Sequence, residues 1–273
     1  MKKLKMYCLT TRDEDLELIQ SLGYLPVGLG KNITANGFLR DNSKDNIFEK
    51  NDYYGEYTFH YWMWKNYLDK LGEEWIGFCQ YRKFWAKTDQ EINNNSFMDF
   101  KQLLLKEILE DDDKYESIIG NPLYINQFKF TKFIKKDLIS MIKEPSLFFD
   151  KNKRTIKFHF DLMHGKGNLE KAINLLEQDD KKDFTDYVNS AVSFSPHNMF
   201  ICKSKKILEN YYKSIFPWLK RCEKEFGFEL KGYGLRRIYG FLAERFMSFW
   251  FRKYTKFKII PIVFKDLKDF RKN

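Results

Sequence analysis

Asn51 to Trp85, NDYYGEYTFHYWMWKNYLDKLGEEWIGFCQYRKFW, is the stretch that most restricts how this chain can fold. Tyr57, Tyr61, Trp64, Leu68 and Leu71 recur at three- and four-residue spacing, which predicts the buried stripe of an amphipathic helix. Asn51 and Asp52 offer side-chain oxygens to the free amides of its first turn. Gly72 and Glu73-Glu74 break the pattern, and Trp75-Ile76-Gly77-Phe78-Cys79 is a short apolar run suited to a central strand. Gln80, Tyr81, Arg82 and Lys83 follow at once. In an open α/β sheet, ligands sit at the carboxyl ends of the strands. Two cations there predict an anionic ligand, a phosphate above all.

Strand and helix patterns alternate along the rest of the chain, which predicts an α/β fold. Lys5–Thr10 reads as a first strand, Asp15–Leu22 as a helix closed by Gly23, and Leu25–Gly30 as a second short strand or turn. Asn32–Asn51 is polar and unpatterned, a surface loop or a ligand-covering one. Asp89–Phe97 reads as a polar loop and Phe100–Leu109 as a helix. Asp111-Asp112-Asp113 then precedes the strand Ser117–Gly120 and so lies at the edge away from the ligand; a solvated turn is the reading preferred over a metal site. Asn121-Pro122 leaves that strand on the ligand side. Leu123–Arg154, rich in Lys and Phe, reads as an excursion from the sheet.

His159, Asp161 and His164 precede a helix that starts at Asn168. The strands Ala191–Phe194 and Met199–Cys202 bracket Ser195-Pro196-His197-Asn198, whose polar groups suit a sugar. Lys205–Phe226 is a long amphipathic helix. Leu235–Arg252 is another, with Leu235, Ile238, Tyr239, Leu242, Phe246, Phe249 and Trp250 as its stripe. Arg237, Gly240, Glu244 and Ser248 fall opposite, which leaves Glu244-Arg245 as a solvated pair or as a carboxylate facing a cleft. Ile259–Phe264, interrupted by Pro261, is an edge strand followed by a basic tail.

The 273 residues suffice for one large domain, with about 123–190 as its excursion and 265–273 as its tail. A hydrophobic share of 43% excludes a disordered chain. The net charge of +10 calls for an acidic partner, yet the lysines are interleaved with acids rather than clustered, which excludes a nucleic-acid footprint. A phosphate-handling enzyme or a protein resting on an anionic membrane surface remains. Four cysteines without a CxxC pair read as small buried hydrophobes in a reducing compartment, not as a zinc site. The first residues lack the apolar run of a signal peptide. No stretch reaches the roughly 18 to 20 apolar residues of a membrane span. The expected location is cytoplasmic, extending to peripheral contact with the anionic inner membrane through the basic tail.

The blocks KNDYYGEYTFHYWMWKN and IGFCQYRKFW, then Asn198-Met199-Phe200-Ile201, then Arg237-Ile238-Tyr239-Gly240-Phe241-Leu242-Ala243-Glu244-Arg245, follow one another across the chain. In this order they resemble the signature of bacterial capsular and exopolysaccharide biosynthesis glycosyltransferases, some of which transfer galactofuranose. Gln80 stands where that family usually has His, Lys83 where it has Arg, and Asn168 where an Asp is expected after His164. The resemblance implies a GT-A-like, Rossmann-like mixed and mostly parallel sheet flanked by helices, with a helical and aromatic insertion. It also implies a UDP-sugar donor and a glycan acceptor, with participation of a divalent ion (Mn or Mg) left open.

On this reading Arg82 and Lys83 stabilise the leaving diphosphate. Glu244, held by Arg245, is the first choice for general base, and Glu56, near a helix N-terminus, is the alternative. Thr10, Arg12, Tyr61, Lys65 and Asn66 line the nucleotide side, with Gln80 and Tyr81 beside the cations. His164 and Asn198 face donor or acceptor sugar, and Arg237 and Arg245 are counted with the substrate- or nucleotide-binding residues. Plain core packing is the preferred reading of Trp64. Arg82 and Glu244 are expected to share one cleft. The competing function is a non-catalytic basic module that binds an anionic polymer or a membrane surface.

Overall fold

Met6 to Leu9 are buried without interruption, which places the first strand, β1 (Lys2–Thr10), inside a sheet with neighbours on both sides. The structure, a computed structural model, describes residues 1–88, 96–127 and 150–271. Most of the loop expected at Asp89–Phe97, most of the excursion expected at Leu123–Arg154 and the last two residues of the tail lie outside these. The chain divides into two compact units, Met1–Asn121 with Asn198–Lys213 and Phe251–Asn273, and Pro122–His197 with Ser214–Trp250.

The first unit is built on a ten-stranded mixed sheet. Beside β1 lie β2 (Leu25–Gly28), β3 (Leu39–Arg40), β4 (Trp75–Gln80), β5 (Lys83–Trp85), β6 (Glu107–Ile108) and β7 (Ser117–Gly120). Later in the chain come β8 (Leu123–Tyr124) and β9 (Ser193–Phe194) of the second unit. They are followed by β10 (Phe200–Cys202), β11 (Phe257–Ile260) and β12 (Ile262–Phe264) of the first. The main path runs β11-β7-β10-β4-β1-β2-β3. β1 is parallel to β2 and β4, and β11 to β7, while β10 is antiparallel to both β4 and β7. Every strand of the path except β10 therefore points the same way. The sheet is thus mixed and mostly parallel, as expected.

The carboxyl edge of that sheet carries Thr10, Gly28, Gln80 and Gly120. β4 turns back through Tyr81 and Arg82 into β5, and Gln80 pairs with Lys83 across the hairpin. Lys83 of the polar cluster thus begins a strand that continues through the buried Phe84 and Trp85. Asn51–Tyr54 and Tyr57–Asn66 are two helices, not one. Gly55 separates them with φ 57° and ψ −129°, a conformation that only glycine adopts readily. Asn51 does not cap; its Nδ2 donates to Gly55 O and Thr58 Oγ1, both at 3.1 Å, and fixes the break. The buried face of the second helix is Tyr57, Phe59, His60, Trp62 and Met63. Trp64, expected in the core, is half-buried with Lys65 Nζ 3.7 Å from its ring centroid, and Leu68 and Leu71 lie beyond the helix end.

Three further differences have local causes. The helix read at Phe100–Leu109 is Phe97–Leu103, followed by β6, whose Ile108 pairs with Lys2. Pro261 divides the C-terminal strand into β11, which pairs with β7, and β12, which pairs with β5. The basic tail is folded back as far as it is described: Phe270 packs on Phe97 and Phe100, with ring centroids 5.3 and 5.1 Å away.

The second unit is mainly helical: Ile156–His164, Asn168–Asn174, Gln178–Ser190 and the later portions of Lys205–Phe226 and Ile238–Tyr254. Thr155 caps the first of these by accepting from Phe158 N. Phe184, Trp218, Phe246 and Phe249 make its aromatic centre, and Trp218 Nε1 donates to Ala172 O at 2.7 Å. Gly240 and Ser248, expected opposite the buried stripe, are buried as well. Among the described residues no helix is long and apolar enough to cross a membrane.

His60 lies at the heart of the first unit, with its Nδ1 2.8 Å from Tyr212 Oη and its ring edge-on to Phe78. Burial drives its pKa down to about 3. The folded state therefore keeps it neutral, while the unfolded chain takes up a proton below about pH 6.5. Stability is full above that value and is lost as pH falls towards 3, by about 2 kcal/mol from this residue at pH 5. Urea midpoints should drop between pH 7 and pH 5, and His60→Phe should flatten that slope.

Candidate functional site

Asp15 is wholly buried one short 3-10 turn beyond β1, so its charge must be answered locally. Thr10 Oγ1 donates to it at 2.5 Å and Arg12 Nε at 3.0 Å, and Arg271 completes the set. Arg12 also reaches Asp266 Oδ1 at 2.6 Å, so the folded tail holds it from the other side. Its guanidinium lies 4.2 Å from the Tyr81 ring centroid, and that of Arg82 lies 4.7 Å from the same ring. Two guanidinium groups on one aromatic ring at the carboxyl edge form a cationic surface suited to phosphate oxygens. Arg82 is exposed, whereas Arg12 is largely committed to its two carboxylates.

A second chain of contacts runs along the same edge. Lys83 Nζ donates to Gln80 Oε1 at 3.0 Å, and Gln80 Nε2 donates to Glu56 Oε1 at 2.8 Å. The amide at position 80 thus bridges a cation and a carboxylate. Thr10, Arg12, Glu56, Gln80, Tyr81, Arg82 and Lys83 all belong to this edge. Tyr61, Lys65 and Asn66 lie further along the helix that begins after Glu56, Asn66 by about 15 Å of helical rise. Tyr61 Oη donates to Asp45 Oδ1 at 3.1 Å and Asn66 Nδ2 to Asp45 O at 2.7 Å. Asn198, nearly buried at φ 53°, leads into β10.

Two acids of the Asp111-Asp112-Asp113 triplet are tied to lysines. Asp112 is bonded to Lys258 Nζ at 2.6 Å and Asp113 to Lys203 Nζ at 3.1 Å, at the amino end of β7. Their oxygens are engaged with ammonium groups, and Asp112 is buried rather than solvated. Among the described residues no group of three His, Cys, Asp or Glu side chains is suited to a metal ion.

Arg82 belongs to the first unit and Glu244 to the second, each with its own partners there. Glu244 Oε1 accepts from His197 N at 2.6 Å, and Oε2 is bonded to Arg245. The pair is not solvated: the Arg245 side chain is 2% exposed and that of Glu244 13%. Burial lowers the guanidinium's pKa, and the Glu244 charge opposes that shift. Arg245 Nη2 lies 3.2 Å from His159 Nδ1, so Nδ1 accepts and the proton resides on Nε2. Burial, then the Arg245 charge, brings His159 down to about 3 and keeps it neutral.

His197 carries φ 81°, an uncommon conformation for a non-glycine residue. The loop is tied to the Glu244 helix a second time, one turn on, where Ser195 N donates to Ser248 Oγ at 2.9 Å. Glu244 opens into a cavity of about 530 Å³ whose lining includes Phe194, His164, Tyr233 and Phe241. His164 Nδ1 donates to Gly234 O at 2.9 Å, and its ring stacks on Phe241. Arg237 lies 5.7 Å from the Tyr233 ring.

Sequence spacing does not single out Asp15 or Tyr233 for the site, and it gives no sign that His159 and His197 meet the Glu244-Arg245 pair. Asp15 might have been found from Thr10-x-Arg12-x-x-Asp15, a strand end followed by a turn. His159 meets Arg245 across 86 positions, which no local pattern reveals. A Cβ on Gly234 would meet Met163 O at 2.4 Å, so Gly234→Ala should force the turn off the Ile156–His164 helix. A loss of about 1–3 kcal/mol is expected, measured as a lowered urea midpoint.

None of the curated proteins compared matches the chain. A solved apo structure of WbbM, a bifunctional glycosyltransferase, superimposes with a TM-score of 0.67 at 19% identity. The match covers 96% of this chain and 45% of that one, so the chain spans less than half of its structural relative. This likeness shows the fold. The family model described as a domain of unknown function, DUF4422, matches residues 5–256, and the chain belongs to that family.

Proposed function

We propose that the chain transfers a hexose from a UDP-sugar to a hydroxyl of a glycan acceptor, with inversion. One observation carries the reading: a carboxylate, Glu244, held at a cavity wall by a buried arginine and a backbone amide. In a fold shared with a glycosyltransferase, such a group suits proton removal from an acceptor alcohol. The acceptor oxygen forms its bond to the anomeric carbon as the bond from that carbon to the diphosphate breaks. The proton passes to Glu244, and the electron pair leaves with UDP. Arg82, with Lys83 beside it, is assigned the charge on the leaving group, and Glu56, bonded to Gln80, is the alternative base.

The finer form of the proposal, carried by the resemblance of the sequence blocks, is galactofuranose transfer to a surface-polysaccharide or lipid-linked oligosaccharide acceptor. A divalent ion belongs to the proposal only as a companion of the diphosphate. A purely binding role for the basic surface leaves Glu244 only its structural part as the partner of Arg245 and makes no use of its place at the cavity wall.

UDP should raise the melting temperature, and running the titration with and without manganese reads out the part played by the ion. Arg82→Ala should weaken UDP binding by about tenfold. No shift with UDP under either condition would favour the binding module. Among UDP-sugars assayed by UDP release, at least one should turn over in the presence of acceptor. Glu244→Gln should cut that turnover by at least about a hundredfold while leaving UDP binding intact; surviving turnover would transfer the role to Glu56.

A further inference from the structure

Tyr233, at the mouth of the Glu244 cavity, is 71% exposed, yet the backbone around it is tightly fixed. Gly232 before it holds φ 86°, a left-handed conformation that favours glycine. Gly234 after it is pressed against Met163, with no room for a Cβ, and its carbonyl is held by His164. A solvent-facing position needs no such fixing, and a large ring gains little there from burial. The ring stands edge-on to Phe241, with centroids 5.9 Å apart at 71°, and Phe241 continues the aromatic surface into the cavity. The remaining walls are mostly apolar, with Leu123, Met163 and Leu235 among them, and Glu244, Arg245, His159, His164, His197 and Lys231 supply the polar groups.

We infer that this cavity binds the terminal sugar ring of the acceptor. Tyr233 lies against the ring's C–H face with Phe241 edge-on beyond it, and Glu244 accepts a hydrogen bond from one of its hydroxyls. A pyranose or furanose is apolar on its faces and polar at its rim, and the cavity divides in the same way. Glu244 already accepts from His197 N and Arg245, but an ionised carboxylate offers about four lone-pair sites and so has capacity for a hydroxyl donor. Glu244 is paired with Arg245 and Lys231 also lines the cavity, so the titration with UDP below is what separates a sugar from the nucleotide as occupant. The role of the bound sugar rests on the glycosyl-transfer reading; the binding itself does not.

Saturation-transfer NMR with methyl glycosides of galactopyranose, galactofuranose and glucose tests this on the wild type, Tyr233→Ala and Tyr233→Phe, alongside calorimetric titration with UDP. At least one glycoside should receive saturation from the wild type. Tyr233→Ala should abolish that signal or weaken binding by at least about tenfold, with unchanged UDP affinity and melting temperature. Tyr233→Phe, which keeps the ring, should retain binding. The inference is overturned if no glycoside binds the wild type, or if Tyr233→Ala binds as well as the wild type. It is also overturned if the substitution weakens UDP binding, since the cavity would then belong to the nucleotide. Glycoside binding without any UDP binding would remove the transferase reading and leave the sugar site standing.

Discussion

A guanidinium almost wholly withdrawn from water stands in the second unit, and the arrangement around Arg245 follows from it. Taking such a charge out of water costs several kcal/mol unless good hydrogen bonds replace the solvent. Glu244 and His159 supply them, and the rings of Phe160, Phe194 and Phe241 lie within cation–π distance. Because Glu244 is partly exposed, the group that neutralises the buried charge is also the group that faces the cavity. Structural necessity and chemical opportunity coincide in one carboxylate. Asp15 sets the same problem with the opposite sign in the first unit. Its solution recruits Thr10, Arg12 and Arg271, and Arg12 then lies against Tyr81.

What the sequence revealed and what it hid divide along a physical line. β7 and the helix Lys205–Phe226 have the bounds read for them, because short apolar runs and long 3.6-residue periods are local signals. The strand end at Gln80 was legible for the same reason, and with it the cationic edge. The break at Gly55 was not, since a single glycine costs a helix only about 1 kcal/mol and the residues alone do not show its dihedral angles. The state of Glu244 was hidden too. Two adjacent charges read as solvent-exposed unless their partners are known, and those partners come from distant segments: His159 from one helix and His197 from a loop. The tail shows this most plainly, since Asp266 meets Arg12 across 254 positions.

The replacement at position 80 gains meaning from its neighbours. An imidazole there could not donate and accept as the Gln80 amide does between Glu56 and Lys83 without fixing its tautomer. The amide carries no titratable proton, so this link keeps its polarity across the physiological range. Lys83 contributes a point charge where a guanidinium would contribute a fork, and its donor is already directed at Gln80.

The first unit is assembled from three separate stretches of chain. Its sheet has β10 lodged between β4 and β7, so the seam between two earlier-made strands is closed by one synthesised some eighty residues after β7. On the ribosome, β1, β2 and β4 can pair as they emerge, but β7 has no neighbour until β10 and then β11 arrive. Such long-range closure slows folding, because loop entropy is lost before contacts compensate for it. The nascent amino-terminal portion therefore exposes an open strand edge at β4 for much of translation, a natural point for chaperone capture or for misassembly between chains.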